Sequence, residues 1–168
     1  MTKQDARLGV YKVLDDLGVS YQIHEHQAFF TVAEADEKGY VLPGLKLKNL
    51  FIKNKRGPER YLVILDDHRR LDFKAFAKFT GWGNKVTFAG DDELMEYLGL
   101  TPGSVSPFGL INDLQHRVIV VLAKSIGQAA GDMTVNFHPN DNTATLSLTK
   151  NDFLKFLEHM GNTVIFEV

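Results

Sequence analysis

The residue types best suited to chemistry are concentrated in Thr101–Asp113, which reads TPGSVSPFGLIND. Pro102 and Pro107 fix φ and remove two N–H donors, while Gly103 and Gly109 permit positive φ and close approach by another molecule. The N–H groups of Gly103, Ser104, Val105 and Ser106 are then available together, which is how a backbone cradle for an oxyanion or a small polar substrate is built. A tight surface turn has the same local composition. Two other segments carry polar residues that a core does not need: Leu45–Phe51, with Lys48 and Asn49, and Asn136–Thr145, with His138 before a proline. Taken singly, a strand lysine reads as an edge residue and the histidine as a turn residue.

Several chemistries lack their residues. The chain has no cysteine, so disulfides, thiolate nucleophiles and thiolate metal sites are excluded. No Ser-His-Asp, Cys-His or HExxH pattern is present, which leaves covalent and zinc mechanisms unsupported. His24 and His26 would share one strand face, but a third ligand is missing, so no metal and no cofactor are expected.

The elements that must position these groups follow from periodicity and caps. Residues 4–17 predict a helix capped by Gly18, and Tyr21–His24 a short strand. Thr31 and Glu34 form a capping box for a short helix ending before Gly39. Leu47–Lys53 and Tyr61–Leu65 predict two strands about a polar turn. Asp72 caps a helix whose buried stripe is Phe73, Phe76, Ala77 and Phe79, closed by Gly81. Val86–Ala89 predicts a strand and Asp91–Leu98 a helix. Val118–Leu122 is apolar enough for the middle of a sheet. Met133–Phe137 and Thr143–Leu148 predict two more strands, Asn151–Met160 a helix capped by Thr149, and Thr163–Val168 a last strand. Residues 123–132 are left without an assigned role. The expectation is a single α+β domain spanning 1–168, with no repeat or linker.

The 168 residues allow a real core, and 44% apolar with 24% charged content is ordinary for a globular protein. No apolar run is long enough to span a membrane, and the charged N-terminal stretch lacks a signal-peptide core, so a cytoplasmic location is expected. The net charge of −2 is segregated. Residues 1–45 carry 4 Lys/Arg against 7 Asp/Glu, residues 46–85 carry 11 against 4, and residues 86–168 carry 4 against 10. The basic block is either a phosphate-facing surface or a solvated face balanced in space by the acidic segments.

Together, Lys48-Asn49-Leu50-Phe51, the loop Gly103-Ser-Val-Ser-Pro107 running into Phe108–Asp113, and Phe137-His-Pro-Asn140 with Asn142–Thr145 resemble the YbaK/prolyl-tRNA-synthetase-associated editing domains. The match is nearest to the free-standing deacylases of alanyl-tRNA(Pro), with weaker matches at His26, Thr31 and Glu34. The resemblance implies a compact domain with a curved, mixed β-sheet flanked by helices. It also implies trans-editing hydrolysis of the alanyl ester without a covalent intermediate. Catalytic roles would fall to Lys48, Asn49, Gly103, Ser104 and His138. Substrate binding would fall to Thr31, Val32, Leu47, Val105, Ser106 and Pro107. The acceptor end of tRNA(Pro) would lie on Lys46, Lys53, Lys55, Arg56, Arg69 and Arg70. A monomer working with or without prolyl-tRNA synthetase is the implied assembly. The alternative is a non-catalytic module of the same fold that binds aminoacyl-tRNA or an amino acid.

Overall fold

The computed structural model describes residues 2–81 and 85–167. The elements run α1 (Lys3–Asp16), β1 (Gln22–Glu25), α2 (Val32–Glu37), β2 (Leu47–Asn54), β3 (Arg60–Asp66), α3 (Phe73–Thr80), β4 (Val86–Phe88) and α4 (Asp91–Leu98). A 3₁₀ helix over Pro107–Asn112 follows, then β5 (Val118–Leu122), α5 (Lys124–Gln128), β6 (Thr134–Phe137), β7 (Ala144–Thr149), α6 (Lys150–Met160) and β8 (Val164–Phe166).

The caps that ended these helices in the sequence do so in space. Thr31, Asp72 and Thr149 each accept an N–H from the first turn that follows. Gly81, Gly99 and Gly161 close α3, α4 and α6 in the left-handed conformation. Glu34 completes its box one residue early, accepting from the N–H of Phe30 at 3.1 Å.

The α+β class is as expected, and the eight strands among the described residues divide into two sheets. β1, β7 and β6 form an antiparallel sheet; β4, β2, β3, β5 and β8 form a mixed one. β3 and β5 are parallel and apolar throughout their centres, and Leu62, Val63, Ile64, Leu65, Val120, Val121 and Leu122 are fully buried. That is the pattern for strands covered on both faces. β2 pairs with β3 along Leu47–Lys53 but with β4 only at Ile52–Asn54. Lys48 and Asn49 therefore lie on a stretch of β2 with an open side, which is what the cavity borders.

Three expectations change. Phe79 is 45% exposed, so the buried stripe of α3 narrows to Phe76 and Ala77, with Phe73 partly covered against the ring of Phe88. Residues 123–132 contain α5, whose Ile126 is buried and whose C-terminal carbonyls, Gly127 and Ala129, accept from the Lys150 ammonium. The last strand spans only Val164–Phe166, and the Val168 end of the expected strand lies outside the described residues.

Candidate active site

A cavity of about 550 Å³ opens between the two sheets. β2 contributes Leu47, Lys48 and Asn49; the proline-framed loop contributes Gly103 and Val105; the end of β6 contributes Asn136 and His138; α2 and its approach contribute Phe30, Thr31 and Val32. These groups come from four separate parts of the chain. The wall is mostly apolar, with polar groups at few points, as in small-molecule sites generally.

Hydrogen bonds at Val105 and Ser106 fix the middle of the loop to its neighbours. Asn49 Nδ2 donates to the Val105 carbonyl at 3.1 Å, tying β2 to the loop. Ser106 Oγ donates to the His138 carbonyl at 2.6 Å and accepts from the N–H of Phe108 at 3.2 Å. Ser106 thus caps the 3₁₀ helix, with Pro107 pre-set at its first position. No peptide bond among the described residues is cis, so Ser106–Pro107 is trans. Gly103 sits at φ +84°, and a Cβ there would meet Cδ1 of Phe30 at 2.5 Å. The loop can approach the cavity because that position has no side chain.

His138 Nδ1 lies 2.8 Å from the Ala144 carbonyl. A carbonyl only accepts, so Nδ1 carries the proton and Nε2 is left as an acceptor. Burial pushes the imidazole below its ordinary value, offset in part by the Ala144 bond and reinforced by His26. His138 is therefore neutral at physiological pH. Its neighbour His26, ring centroid 5.9 Å away, is held by the Gln27 carbonyl on one nitrogen and Thr145 Oγ1 on the other. His24 contacts Ser147 Oγ at 2.9 Å, so the two imidazoles each take a hydroxyl of β7.

The turn carrying His138 is braced from outside. Asp141 is 2% exposed, and Arg7 Nε donates to it at 2.7 Å. Arg7 also reaches Glu25 at 2.9 Å and the Thr143 hydroxyl, and that hydroxyl donates to Asp141 at 2.7 Å. Burial would raise the Asp141 carboxyl, but the bonds from Thr143 and Arg7 hold it below its ordinary range. This clamp had no local signature in the sequence, because its partners stand 134 residues apart.

The structure sorts the sequence-derived residues. Lys48, Asn49, Gly103, His138, Thr31, Val32, Leu47 and Val105 share the cavity wall. Ser104 does not: it is buried away from the lining, and its N–H closes a turn on the Thr101 carbonyl at 3.1 Å. Ser106 and Pro107 are buried behind the wall, where they brace it. Lys48 Nζ donates to the Arg69 carbonyl, which anchors the ammonium beside the cavity.

Of the six expected tRNA cations, three are engaged within the protein. Lys53 pairs with Glu93 at 2.7 Å, Arg69 with Glu167 at 2.7 Å, and Lys46, on the cavity wall, with Asp36 at 3.9 Å. Burial opposes ionisation of Glu93, yet Lys53, the Gly90 N–H and Arg60 together bring its carboxyl down to about 2. Lys55, Arg56 and Arg70 are exposed and make no ion pair among the described residues.

A sequence model of the aminoacyl-tRNA editing domain matches residues 26–156, the segment that holds every wall residue named above. The chain belongs to the aminoacyl-tRNA editing domain family. Prolyl-tRNA editing protein ProX of Acetoanaerobium sticklandii is 37% identical over 159 residues, covering 95% of this chain and 94% of that protein. Prolyl-tRNA synthetase associated domain-containing protein 1 of Bos taurus is 31% identical over 166 residues, covering 98% and 96%. A solved structure described as a candidate trans-editing enzyme for prolyl tRNA synthetase superposes with a TM-score of 0.67 at 21% identity, over 99% of this chain and 97% of that one. At that identity the likeness shows the fold. No described helix is long and apolar enough to cross a membrane.

Proposed function

We propose that this editing domain acts in trans as a prolyl-tRNA editing hydrolase, cleaving the ester of alanyl-tRNA(Pro) with a positioned water. The observation that carries the reading is the convergence of Lys48, Asn49, Gly103, Val105 and His138 on one cavity. A synthetase pocket made for proline rejects alanine by only about 1–3 kcal/mol, the worth of the missing methylenes, so a second, size-excluding site is needed. ProX, of which the chain covers 94%, is named a prolyl-tRNA editing protein, which supports this reading.

The residues divide the work as follows. Gly103 and Val105 line the cavity, their N–H groups have no backbone partner among the described residues, and we assign these N–H groups as the donors to the aminoacyl carbonyl as it gains negative charge. Lys48 supplies a fixed positive charge at the terminal phosphate or ribose. Asn49 is held by Val105 through Nδ2, which leaves Oδ1 buried and unpartnered as an acceptor for a substrate N–H or O–H. Neutral His138 offers Nε2 to the substrate or the water, and with so little basicity its task is orientation. The vicinal ribose hydroxyl helps place the attacking water. Water adds to the ester carbonyl, the ribose oxygen leaves with a proton, and free alanine and tRNA result; no protein group is acylated.

The test is single-turnover deacylation of alanyl-tRNA(Pro) by Lys48→Ala, beside seryl- and prolyl-tRNA(Pro) with the wild-type protein. The expected result is loss of hydrolysis with an unchanged melting profile, and rejection of the prolyl ester. A near-wild-type rate for Lys48→Ala removes the ammonium from the mechanism. Tight binding of aminoacyl-tRNA with no turnover by the wild type makes the chain a binding module instead.

A further inference from the structure

Of the cations left free, Lys55 and Arg56 are not at the cavity, whereas Arg70 follows Arg69, whose carbonyl holds the Lys48 ammonium. β2 runs from Lys48 on the cavity wall to Lys55 beyond its far end, a span of roughly 23 Å at about 3.3 Å per residue. There the β2–β3 turn meets the start of β4: the Lys55 N–H donates to the Lys85 carbonyl at 2.6 Å, directly following the Asn54–Val86 pair in the antiparallel register. Lys55 and Lys85 are thus cross-strand neighbours, and Arg56 stands next to them; all three are exposed and make no ion pair among the described residues. The one acidic residue of the turn, Glu59, is turned to the Asn54 amide at 3.1 Å. Like charges directly opposite each other destabilise a strand pair. A folded protein of net charge −2 with several exposed carboxylates elsewhere keeps this arrangement at a cost.

We infer that Lys55, Arg56 and Lys85 form a second nucleic-acid contact, which holds the sugar-phosphate backbone of the tRNA away from its aminoacyl end. The inference rests on the editing reading for the identity of the RNA. A polyanion relieves the like-charge repulsion and releases its own counterions on binding. Because the patch touches phosphates and lies about a strand's length from the cavity, it strengthens binding of the whole tRNA without reading sequence or altering the reacting end. Lys53 and Arg60, one layer in, share the single carboxylate of Glu93 and hold the scaffold beneath the patch.

The experiment compares wild type with the Lys55→Gln/Arg56→Gln/Lys85→Gln variant, using Lys12→Gln as a control cation on the opposite end of the sequence. Uncharged tRNA binding is measured by anisotropy across a salt series, and hydrolysis is measured on full-length alanyl-tRNA(Pro) and on the alanyl ester of a 3′-terminal dinucleotide. The expected result is at least tenfold weaker tRNA binding at low salt and a salt slope reduced by about one per cation removed, about three in all. KM for full-length substrate rises to match, hydrolysis of the dinucleotide ester is unchanged, and the melting temperature is not lowered. Unchanged affinity and slope overturn the inference and leave the patch to an acidic protein partner. Equal losses on both esters also overturn it, since they mean that the cavity itself was disturbed. If wild type binds tRNA with the steeper slope yet hydrolyses neither ester, the RNA surface stands and the deacylase reading fails.

Discussion

Replacing Ser106 with alanine tests the coupling between the loop and the His138 turn. Ser106 is fully buried, and its hydroxyl is the only group joining the His138 carbonyl to the loop among the described bonds. Ser106→Ala leaves that carbonyl and the Phe108 N–H both without this partner. Each orphaned buried group costs about 1–3 kcal/mol, and the 3.2 Å bond to Phe108 belongs at the lower end. A combined loss of about 2–4 kcal/mol follows. For a domain of this size about 2–4 °C accompanies each kcal/mol, so thermal unfolding by circular dichroism should drop by at least about 4 °C. Single-turnover deacylation under conditions where the variant is fully folded should fall as well, because Val105 and His138 no longer move as one body. A melting temperature within about 1 °C of wild type, with an unchanged rate, refutes the reasoning and gives the positioning to the Asn49–Val105 and Asn140–Phe108 bonds.

Other outcomes follow from the same geometry. Arg7→Ala leaves the buried Asp141 carboxylate its Thr143 hydrogen bonds but, among the described residues, no cation nearer than Lys3 at 3.7 Å, and should cost about 3 kcal/mol in urea unfolding; Arg7→Lys should restore part of the loss. Gly103→Ala forces alanine to φ +84° and displaces the exposed Phe30 ring from the cavity wall. It should cost about 1–2 kcal/mol of stability and raise KM in steady-state assays. Glu93 has a folded value of about 2 against an ordinary 4.5, so its contribution is fully present above pH 4.5 and is lost as pH falls toward 2. Glu93→Gln should flatten the acid limb of a stability-versus-pH curve in that window. His138 has its folded value depressed below 6.5, so the unfolded chain takes up that proton first and stability declines as pH drops below 6.5; His138→Gln should remove that component.

The fold was legible where the signal was local. Thr31, Asp72 and Thr149 announce helix starts by side-chain chemistry, and Gly81, Gly99 and Gly161 announce ends by their access to positive φ. Phe79 misled because apolarity at helical spacing does not say whether anything lies opposite to cover it. The 3₁₀ helix was within reach, since Ser106-Pro107 supplies both a cap and a pre-set first residue. The helix Lys124–Gln128 was not, because five residues are too few to show a period. For the site, residue types and order named the wall but not its bonds. The Ser104 N–H was spent on a turn that only coordinates reveal. The links Asn49–Val105 and Arg7–Asp141 cross 56 and 134 residues. Pairings of that kind leave no trace in a single sequence.

The β1–β7 pairing sets an order of events during synthesis. β1 emerges early and waits for Ala144–Ser147, its partner stretch near the other end of the chain, whereas β2 and β3 are joined by a short turn and can zip at once. Contacts between distant segments form slowly. The cavity therefore closes late, after the β2–β3 hairpin exists. A half-made chain carries His26, its lysine strand and its proline bend without the His138 turn to meet them, and the cavity wall is incomplete until β6 and β7 are in place.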